Sequence, residues 1–131
     1  MRIIRSIKGM QNFIKQARGQ DKRIGFVPTM GFLHEGHLSL LRRCKKENDL
    51  TVMSIFVNPK QFAPHEDFKK YPRDLRQDNR LAKQQKVDIL FCPSEREMYP
   101  ERYLTYIDVK KMTEGLCGKF RPGHFRGVTT V

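Results

Sequence analysis

The sequence has few cysteines and no long hydrophobic run. Its three cysteines, Cys44, Cys92 and Cys117, lie far apart and form no C-x-x-C pair. This spacing argues against both a disulfide framework and a zinc site. No stretch of about 18 apolar residues could span a membrane, and the N-terminus lacks the apolar core of a signal peptide. We therefore expect a cytoplasmic protein without a membrane segment.

Acidic residues are scarce relative to basic ones. The chain of 131 residues contains 26 lysines and arginines against 14 acids, which gives a formal net charge of +12. Such an excess is compatible with nucleic-acid binding, but the basic residues are spread from Arg2 to Arg126 and seldom cluster. Small polyanions such as ATP and organic acids are attracted by the same charge. Nucleic-acid binding therefore remains the less favoured alternative.

Alternating strand and helix patterns predict an α/β fold with a doubly wound parallel sheet. Helices are predicted over residues 6–18, 37–47 and 73–86, and strands over residues 23–29, 50–57, 87–92 and 103–109. A glycine-rich loop is predicted over residues 115–127. Ligands bind at the carboxyl ends of strands in such sheets, so we expect the loops beginning at Pro28, Asn58 and Pro93 to meet on one edge.

Two histidines, His34 and His37, stand where the second helix is predicted to begin. Three residues apart on a helix, they share one face in its first turn, where free N–H groups and the helix dipole favour an anion. Gly36 between them allows a phosphate or an adenine ring to approach the backbone. The pattern predicts a polyphosphate site, and the alternative is a pair of capping or surface histidines. A zinc site is disfavoured because no third ligand follows at a suitable spacing.

Polar side chains in two later segments add candidates for the same edge. Asn58 and Gln61 follow a strand end, and their amides can donate and accept hydrogen bonds to a substrate that carries hydroxyls and a carboxylate. Arg121 and His124 lie in the glycine-rich segment, where cations suit phosphate oxygens, although a flexible basic surface loop fits equally well. His65 is expected to be a solvated loop residue without a role.

Three motifs in this order resemble the pantothenate synthetase (pantoate–β-alanine ligase) family. They are VPTMGFLHEGHLSLLR, SIFVNPKQFAPHEDFKKYPRDL and LCGKFRPGHFRGVTTV. The H-x-G-H motif alone indicates only the broader nucleotidylyltransferase group, and another member of that group is the alternative. The N-P-x-Q-F and C-G-x-x-R-P-G-H-F-R-G segments narrow the resemblance to the ligase.

The resemblance implies that residues 1–131 form a Rossmann-like domain of the H-x-G-H nucleotidylyltransferase type, truncated before a smaller C-terminal domain. It implies an enzyme that condenses (R)-pantoate with β-alanine through pantoyl adenylate and releases AMP and pyrophosphate. It further implies that ATP is a substrate, that Mg²⁺ is required and that the full-length protein is a homodimer. The 131-residue chain alone is expected to be inactive.

Site residues follow from the motif positions. Catalysis is carried over to His34 and His37, whose imidazoles are expected to be protonated and to stabilise negative charge on the phosphoryl oxygens. ATP binding is carried over to Met30, Gly31, Phe32, Leu33, His34, Glu35, Gly36 and His37. Binding of pantoate and β-alanine is carried over to Pro28, Thr29, Asn58 and Gln61. Arg121 and His124 are candidates for phosphate or substrate contacts, and no residue is carried over as a metal ligand.

Overall fold

A computed structural model describes residues 1–63, 66, 68–111, 113–115 and 117–131, with only the main chain at Cys117. His65, for which the sequence predicts a solvated loop position, lies outside the described residues. No helix in the part that is described has the length and apolar character needed to cross a membrane.

A parallel sheet forms the centre of the fold. Within the described residues it has four strands: β1 (Arg2–Ile4), β2 (Ile24–Thr29), β3 (Leu50–Ile55) and β4 (Ile89–Phe91). Their order is β1-β4-β3-β2, and each pairing is parallel. The helices are α1 (Ile7–Arg18), α2 (Glu35–Glu47), α3 (Leu75–Gln84), α4 (Glu95–Met98), α5 (Cys117–Phe120) and α6 (His124–Thr130). Single 3₁₀ turns cover Pro59–Gln61 and Phe68–Lys70.

Both faces of the sheet are covered, because neighbouring strand residues point to opposite sides. On one face Val52 packs with Ile4 and Ile89 beneath α1. On the other face Met53 and Leu90, both fully buried, belong to a cluster that includes residues of α2 and α3. Burying one such side chain contributes about 1.5–3 kcal/mol. The predicted doubly wound α/β architecture is confirmed.

Each of the helices α1, α2 and α3 begins directly after a residue whose side chain caps it. The Ser6 side chain accepts the Gly9 N–H and begins α1 as predicted. Helix α2 begins at Glu35, two residues before the predicted start, because His34 caps it. Asp74 caps α3, so that helix begins two residues later than predicted. Within α3, Leu75 is 42% exposed, whereas Ala82 is fully buried.

The predictions for the last third of the chain need correction. Residues 103–109 form no strand, because no neighbouring strand of the described chain pairs with them, and Leu104 is 86% exposed. The segment predicted as a glycine-rich loop contains α5 and α6. Helix α6 forms there because Gly127 lets it pack directly on the 3₁₀ turn Pro59–Gln61. Strand β1 was not predicted, since three residues are too few to show a period.

Candidate active site

A cavity of about 620 Å³ lies at the carboxyl ends of β2 and β3. The end of β2 lines it with Pro28 and Thr29, the loop that follows contributes Met30, and α2 contributes His37. The remaining lining residues come from β2, β3, β4 and the segments around them: Phe26, Ser54, Phe56, Asn58, Gln61, Tyr71, Phe91, Pro93, Met98, Val128 and Val131. The three loops that were expected to meet on one sheet edge therefore do so.

The side chains of the two histidines together cap the N-terminus of α2. His34 is the N-cap residue, with extended φ and ψ of −131° and 177°. Its Nδ1 accepts the Gly36 N–H at 3.2 Å, and Nδ1 of His37 accepts the His34 N–H at 3.3 Å. The ring centroids lie 4.1 Å apart. Since a backbone N–H can only donate, each Nδ1 is an acceptor and each ring keeps its proton on Nε2.

The environment of His37 also favours the neutral ring. Partial burial, followed by repulsion from a charged His34, lowers the pKa of His37 from its ordinary value of 6.5, while Asp78 opposes the shift. The hydrogen bonds and the lowered pKa of His37 therefore favour neutral rings, so that α2 presents two Nε2–H donors, and protonation of the imidazoles beside bound phosphates stays a prediction. A neutral donor can still stabilise charge that develops on an oxygen.

A buried aspartate holds the loop between β2 and α2. Asp78 of α3 is 1% exposed, and its carboxylate accepts the N–H groups of Phe32 at 2.9 Å and Leu33 at 2.8 Å. These contacts accommodate two consecutive left-handed residues, Gly31 with φ 82° and Phe32 with φ 52°. The N–H groups of Phe32 and Leu33 are therefore already bonded within the protein. Sequence reasoning missed Asp78, although it shares the buried stripe of α3 with Ala82 four residues later.

Thr29 links the same loop to the sheet. Its hydroxyl donates to the Ser54 carbonyl at 2.8 Å and accepts the Gly31 N–H at 3.1 Å. Thr29 is 8% exposed. The hydroxyl hydrogen is thus used inside the protein, and Thr29 shapes the wall of the cavity.

The amides of Asn58 and Gln61 contact each other. Asn58 is 1% exposed, and its Nδ2 donates to Oε1 of Gln61 at 2.8 Å. Gln61 is half-buried and lines the cavity opposite His37. The structure thus brings the predicted amide pair and one predicted histidine to the same cavity.

Arg121 and His124 lie behind Gln61. Arg121 pairs with Glu66, with Nε and Oε1 2.5 Å apart, and donates to the Gln61 carbonyl at 3.2 Å. Nδ1 of His124 donates to the same carbonyl at 2.8 Å. Neither Arg121 nor His124 belongs to the described residues that line the cavity. Both side chains fix the main chain at Gln61, and Glu66, which sequence reasoning did not select, anchors Arg121.

The described chain offers no ready metal site. Across residues 1–63, 66, 68–111, 113–115 and 117–131, no three His, Cys, Asp or Glu side chains cluster as metal ligands. The buried carboxylate of Asp78 is occupied by two N–H donors.

Comparison with known proteins gives relatives along the whole chain. The pantothenate synthetase of Heliobacterium modesticaldum is 59% identical over 131 residues, which are all of this chain and 47% of that protein. The pantothenate synthetase of Acetivibrio thermocellus is 56% identical over the same shares. The chain thus spans about half the length of these relatives.

Solved structures also match nearly the whole chain. Pantothenate synthetase from Thermus thermophilus matches 99% of this chain with 46% of its own, at 44% identity and a TM-score of 0.86. Pantoate-beta-alanine ligase from Francisella tularensis, solved with beta-gamma ATP and beta-alanine, matches 99% of this chain with 50% of its own, at 45% identity and a TM-score of 0.91. The family model for pantoate-beta-alanine ligase matches residues 2–131. The chain therefore belongs to the pantoate-beta-alanine ligase family, as its three motifs predict.

Proposed function

We propose that the protein condenses (R)-pantoate with β-alanine to pantothenate through a pantoyl adenylate, releasing AMP and pyrophosphate. One observation carries the proposal: a single cavity is lined by His37 at the tip of α2 and by Gln61 beyond β3. The first is a donor suited to phosphoryl oxygens, and the second is an amide suited to an organic acid. Two relatives named pantothenate synthetase, each about twice as long as this chain, support the proposal.

ATP is placed along the segment that opens α2. Met30, Gly31, Phe32 and Leu33 border the nucleotide, and Glu35 and Gly36 lie in the first helical turn. In the first half-reaction a pantoate carboxylate oxygen attacks the α-phosphorus, and the bond to pyrophosphate breaks. Negative charge grows on the phosphoryl oxygens, where Nε2–H of His34 and His37 and the positive end of α2 stabilise it.

Pantoate is placed against Gln61, with Pro28 and Thr29 forming the adjoining wall. In the second half-reaction the amine of β-alanine attacks the acyl carbon of the adenylate and releases AMP. The apolar lining from Phe56 and Met98 limits access of water to this reactive intermediate. Asn58, Arg121 and His124 support Gln61 from behind through their hydrogen bonds.

The remaining parts of the proposal come from the family resemblance. Mg²⁺ enters as the magnesium complex of ATP, because such ions are bound largely through phosphates and water. We propose a cytoplasmic homodimer in which residues 1–131 bind ATP and pantoate, with a further domain completing the enzyme. Nucleic acid is not proposed as a partner.

The test uses the protein expressed from its complete coding sequence. We expect pantothenate and AMP from ATP, (R)-pantoate and β-alanine, and the formation of pantoyl adenylate when β-alanine is left out. His37→Ala should lower the adenylation rate more than ATP affinity, whereas Leu40→Ala on the exposed face of α2 should leave both unchanged. Transfer of AMP to another acceptor without pantothenate formation would favour a different nucleotidylyltransferase.

A variant of Gln61 tests the proposed pantoate site. Gln61→Ala should raise the KM for pantoate and leave the KM for ATP near the wild-type value. An unchanged KM for pantoate would remove Gln61 from the acid site and contradict this placement of the substrate.

A further inference from the structure

The orientation of the buried Asn58 amide is fixed by two main-chain groups. Its Oδ1 accepts the Lys60 N–H at 3.2 Å, and its Nδ2 donates to the Gly127 carbonyl at 2.9 Å. A backbone N–H can only donate and a carbonyl can only accept, so the oxygen and nitrogen of this amide cannot be exchanged. The 3₁₀ turn and α6 thus determine which way Asn58 faces.

This orientation passes to Gln61. The second hydrogen on Asn58 Nδ2 points at Gln61 Oε1, 2.8 Å away, so the atom of Gln61 that faces Asn58 must be its oxygen. The Nε2 group of Gln61 is left for the cavity that Gln61 lines, and no residue described in the structure accepts a hydrogen bond from it. Gln61 therefore turns its two N–H donors toward the cavity, while its oxygen faces Asn58 and accepts one hydrogen bond from it.

Tyr99 completes the set of contacts around Asn58. Its hydroxyl donates to Asn58 Oδ1 at 2.8 Å. Burial raises the pKa of Tyr99, which keeps this hydroxyl protonated through the neutral range. Both hydrogens of the Asn58 amide and both acceptor positions of its oxygen are then used within the protein. At 1% exposure, Asn58 has no remaining group with which to contact a substrate.

We infer that Asn58 and Tyr99 are positioning residues that turn the NH₂ group of Gln61 toward the cavity, and that this NH₂ group recognises an acceptor oxygen of the acid substrate. The inference rests on the proposed function for the identity of the acid, which is pantoate. It gives the amide pair two separate roles: Gln61 contacts the substrate, and Asn58 determines which end of Gln61 does so. A substrate analogue that presents a donor at this point should bind poorly.

The aromatic surroundings of Tyr99 supply a matched pair of variants. The Tyr99 ring packs against Phe56 and Tyr103, at centroid distances of 6.1 and 5.0 Å, so Tyr99→Phe removes the hydroxyl and keeps the ring contacts. Lys60 lies over the rings of both Tyr99 and Tyr103. Tyr103→Phe removes a neighbouring hydroxyl that does not bond Asn58, and it is the control.

The kinetic test is a double-mutant cycle in the protein expressed from its complete coding sequence. Tyr99→Phe should raise the KM for pantoate about 3-fold to 10-fold, which is the usual effect of one hydrogen bond, and should leave the KM for ATP unchanged. Tyr103→Phe should change none of these. In a Gln61→Ala background, Tyr99→Phe should have no further effect on the KM for pantoate, because its influence passes through Gln61. Additive effects, or an unchanged KM in Tyr99→Phe, would overturn the inference.

A second test does not depend on catalysis. In NMR spectra of the protein expressed from its complete coding sequence, the side-chain NH₂ protons of Asn58 should exchange slowly with solvent, and those of Gln61 should exchange fast. In Asn58→Asp the carboxylate can only accept, so the Gln61 amide should reverse, and its NH₂ protons should become protected. Fast exchange at Asn58, or no change at Gln61 in Asn58→Asp, would contradict the assigned orientation.

The two tests separate the inference from the proposed function. If the complete protein makes no pantothenate but the NMR result is as expected, the donor orientation stands and the choice of acid fails. If ligation occurs and the exchange pattern is the opposite, the proposed function stands and the positioning role fails. Should Asn58→Asp not fold, Tyr99→Phe measured for Gln61 NH₂ exchange decides the same question.

Discussion

Asp78 accepts the backbone N–H of Leu33 at 2.8 Å and thereby ties α3 to the loop in front of α2. The other oxygen of the same carboxylate accepts the Phe32 N–H. A helix that follows β3 in the chain thus determines the conformation of the segment that follows β2. The positions of the two histidines depend on this contact, because α2 begins directly after that segment.

Removing the charge of Asp78 should loosen the nucleotide side of the cavity. Asp78→Asn replaces one acceptor by an NH₂ group that faces a backbone N–H, so we expect a loss of about 1–3 kcal/mol in the free energy of unfolding. ATP affinity, measured by calorimetry, should fall as well. Asp88→Asn is the control: Asp88 accepts the Thr51 N–H and pairs with Lys45 at the amino end of β4. The Asp88→Asn variant should lower the free energy of unfolding without changing ATP affinity. An equal loss of ATP affinity in Asp78→Asn and Asp88→Asn would contradict a local role for Asp78.

Gly31 should tolerate a side chain less well than another glycine with the same backbone angle. Gly31 and Gly123 both have φ 82°. A Cβ at Gly31 would lie 2.9 Å from Asp78 Oδ2, whereas a Cβ at Gly123 would meet nothing within 4 Å. Gly123→Ala therefore measures the cost of the left-handed backbone alone, about 1–2 kcal/mol. Gly31→Ala should lower the free energy of unfolding, measured in urea, by more than Gly123→Ala does. Equal urea midpoints for the two variants would show that the loop can move away from Asp78.

Acidification should weaken the histidine cap of α2. The pKa of His37 is lowered on folding, so the unfolded chain binds more protons than the native one between pH 6.5 and the folded pKa. The His37 contribution to stability is complete above pH 6.5 and is lost as the pH falls through the folded pKa. A histidine titration by NMR should give His37 a pKa below 6.5. The fall in Tm between pH 7.5 and 5.5 should be smaller in His37→Ala than in the wild type, and an equal fall would contradict this linkage.

The helices and strands could be predicted because short-range sequence patterns, such as capping residues and apolar runs, determine them. Ser6 caps its own helix, and the apolar run of β3 is buried on both faces as a central parallel strand requires. The candidate site residues in the motifs could be selected because their chemistry and spacing are visible in the chain. Their supports were not, because these depend on contacts across long separations. Asp78 lies 45 residues from Leu33, and Tyr99 lies 41 residues from Asn58.

The protonation of the histidines shows a second limit of sequence reasoning. Spacing placed His34 and His37 on one helix end but did not reveal that each Nδ1 accepts a backbone N–H. That detail depends on His34 being the N-cap residue rather than a member of the first turn. It leaves each ring with its Nε2–H as the donor that faces outward from the cap.

The contact between α6 and the 3₁₀ turn gives the last prediction. A Cβ at Gly127 would lie 2.1 Å from the Lys60 carbonyl oxygen, which is backbone and cannot turn away. Gly127→Ala should therefore push α6 from the turn, lengthen the bond between Asn58 and the Gly127 carbonyl, and release the Gln61 amide. We expect a loss of stability of about 1–3 kcal/mol, the usual cost of overpacking, and a higher KM for pantoate in the complete protein. Gly115→Ala, where a Cβ would meet nothing within 4 Å, should change stability by less than about 0.5 kcal/mol and leave the KM unchanged. A wild-type KM in Gly127→Ala would show that Gln61 keeps its orientation without α6.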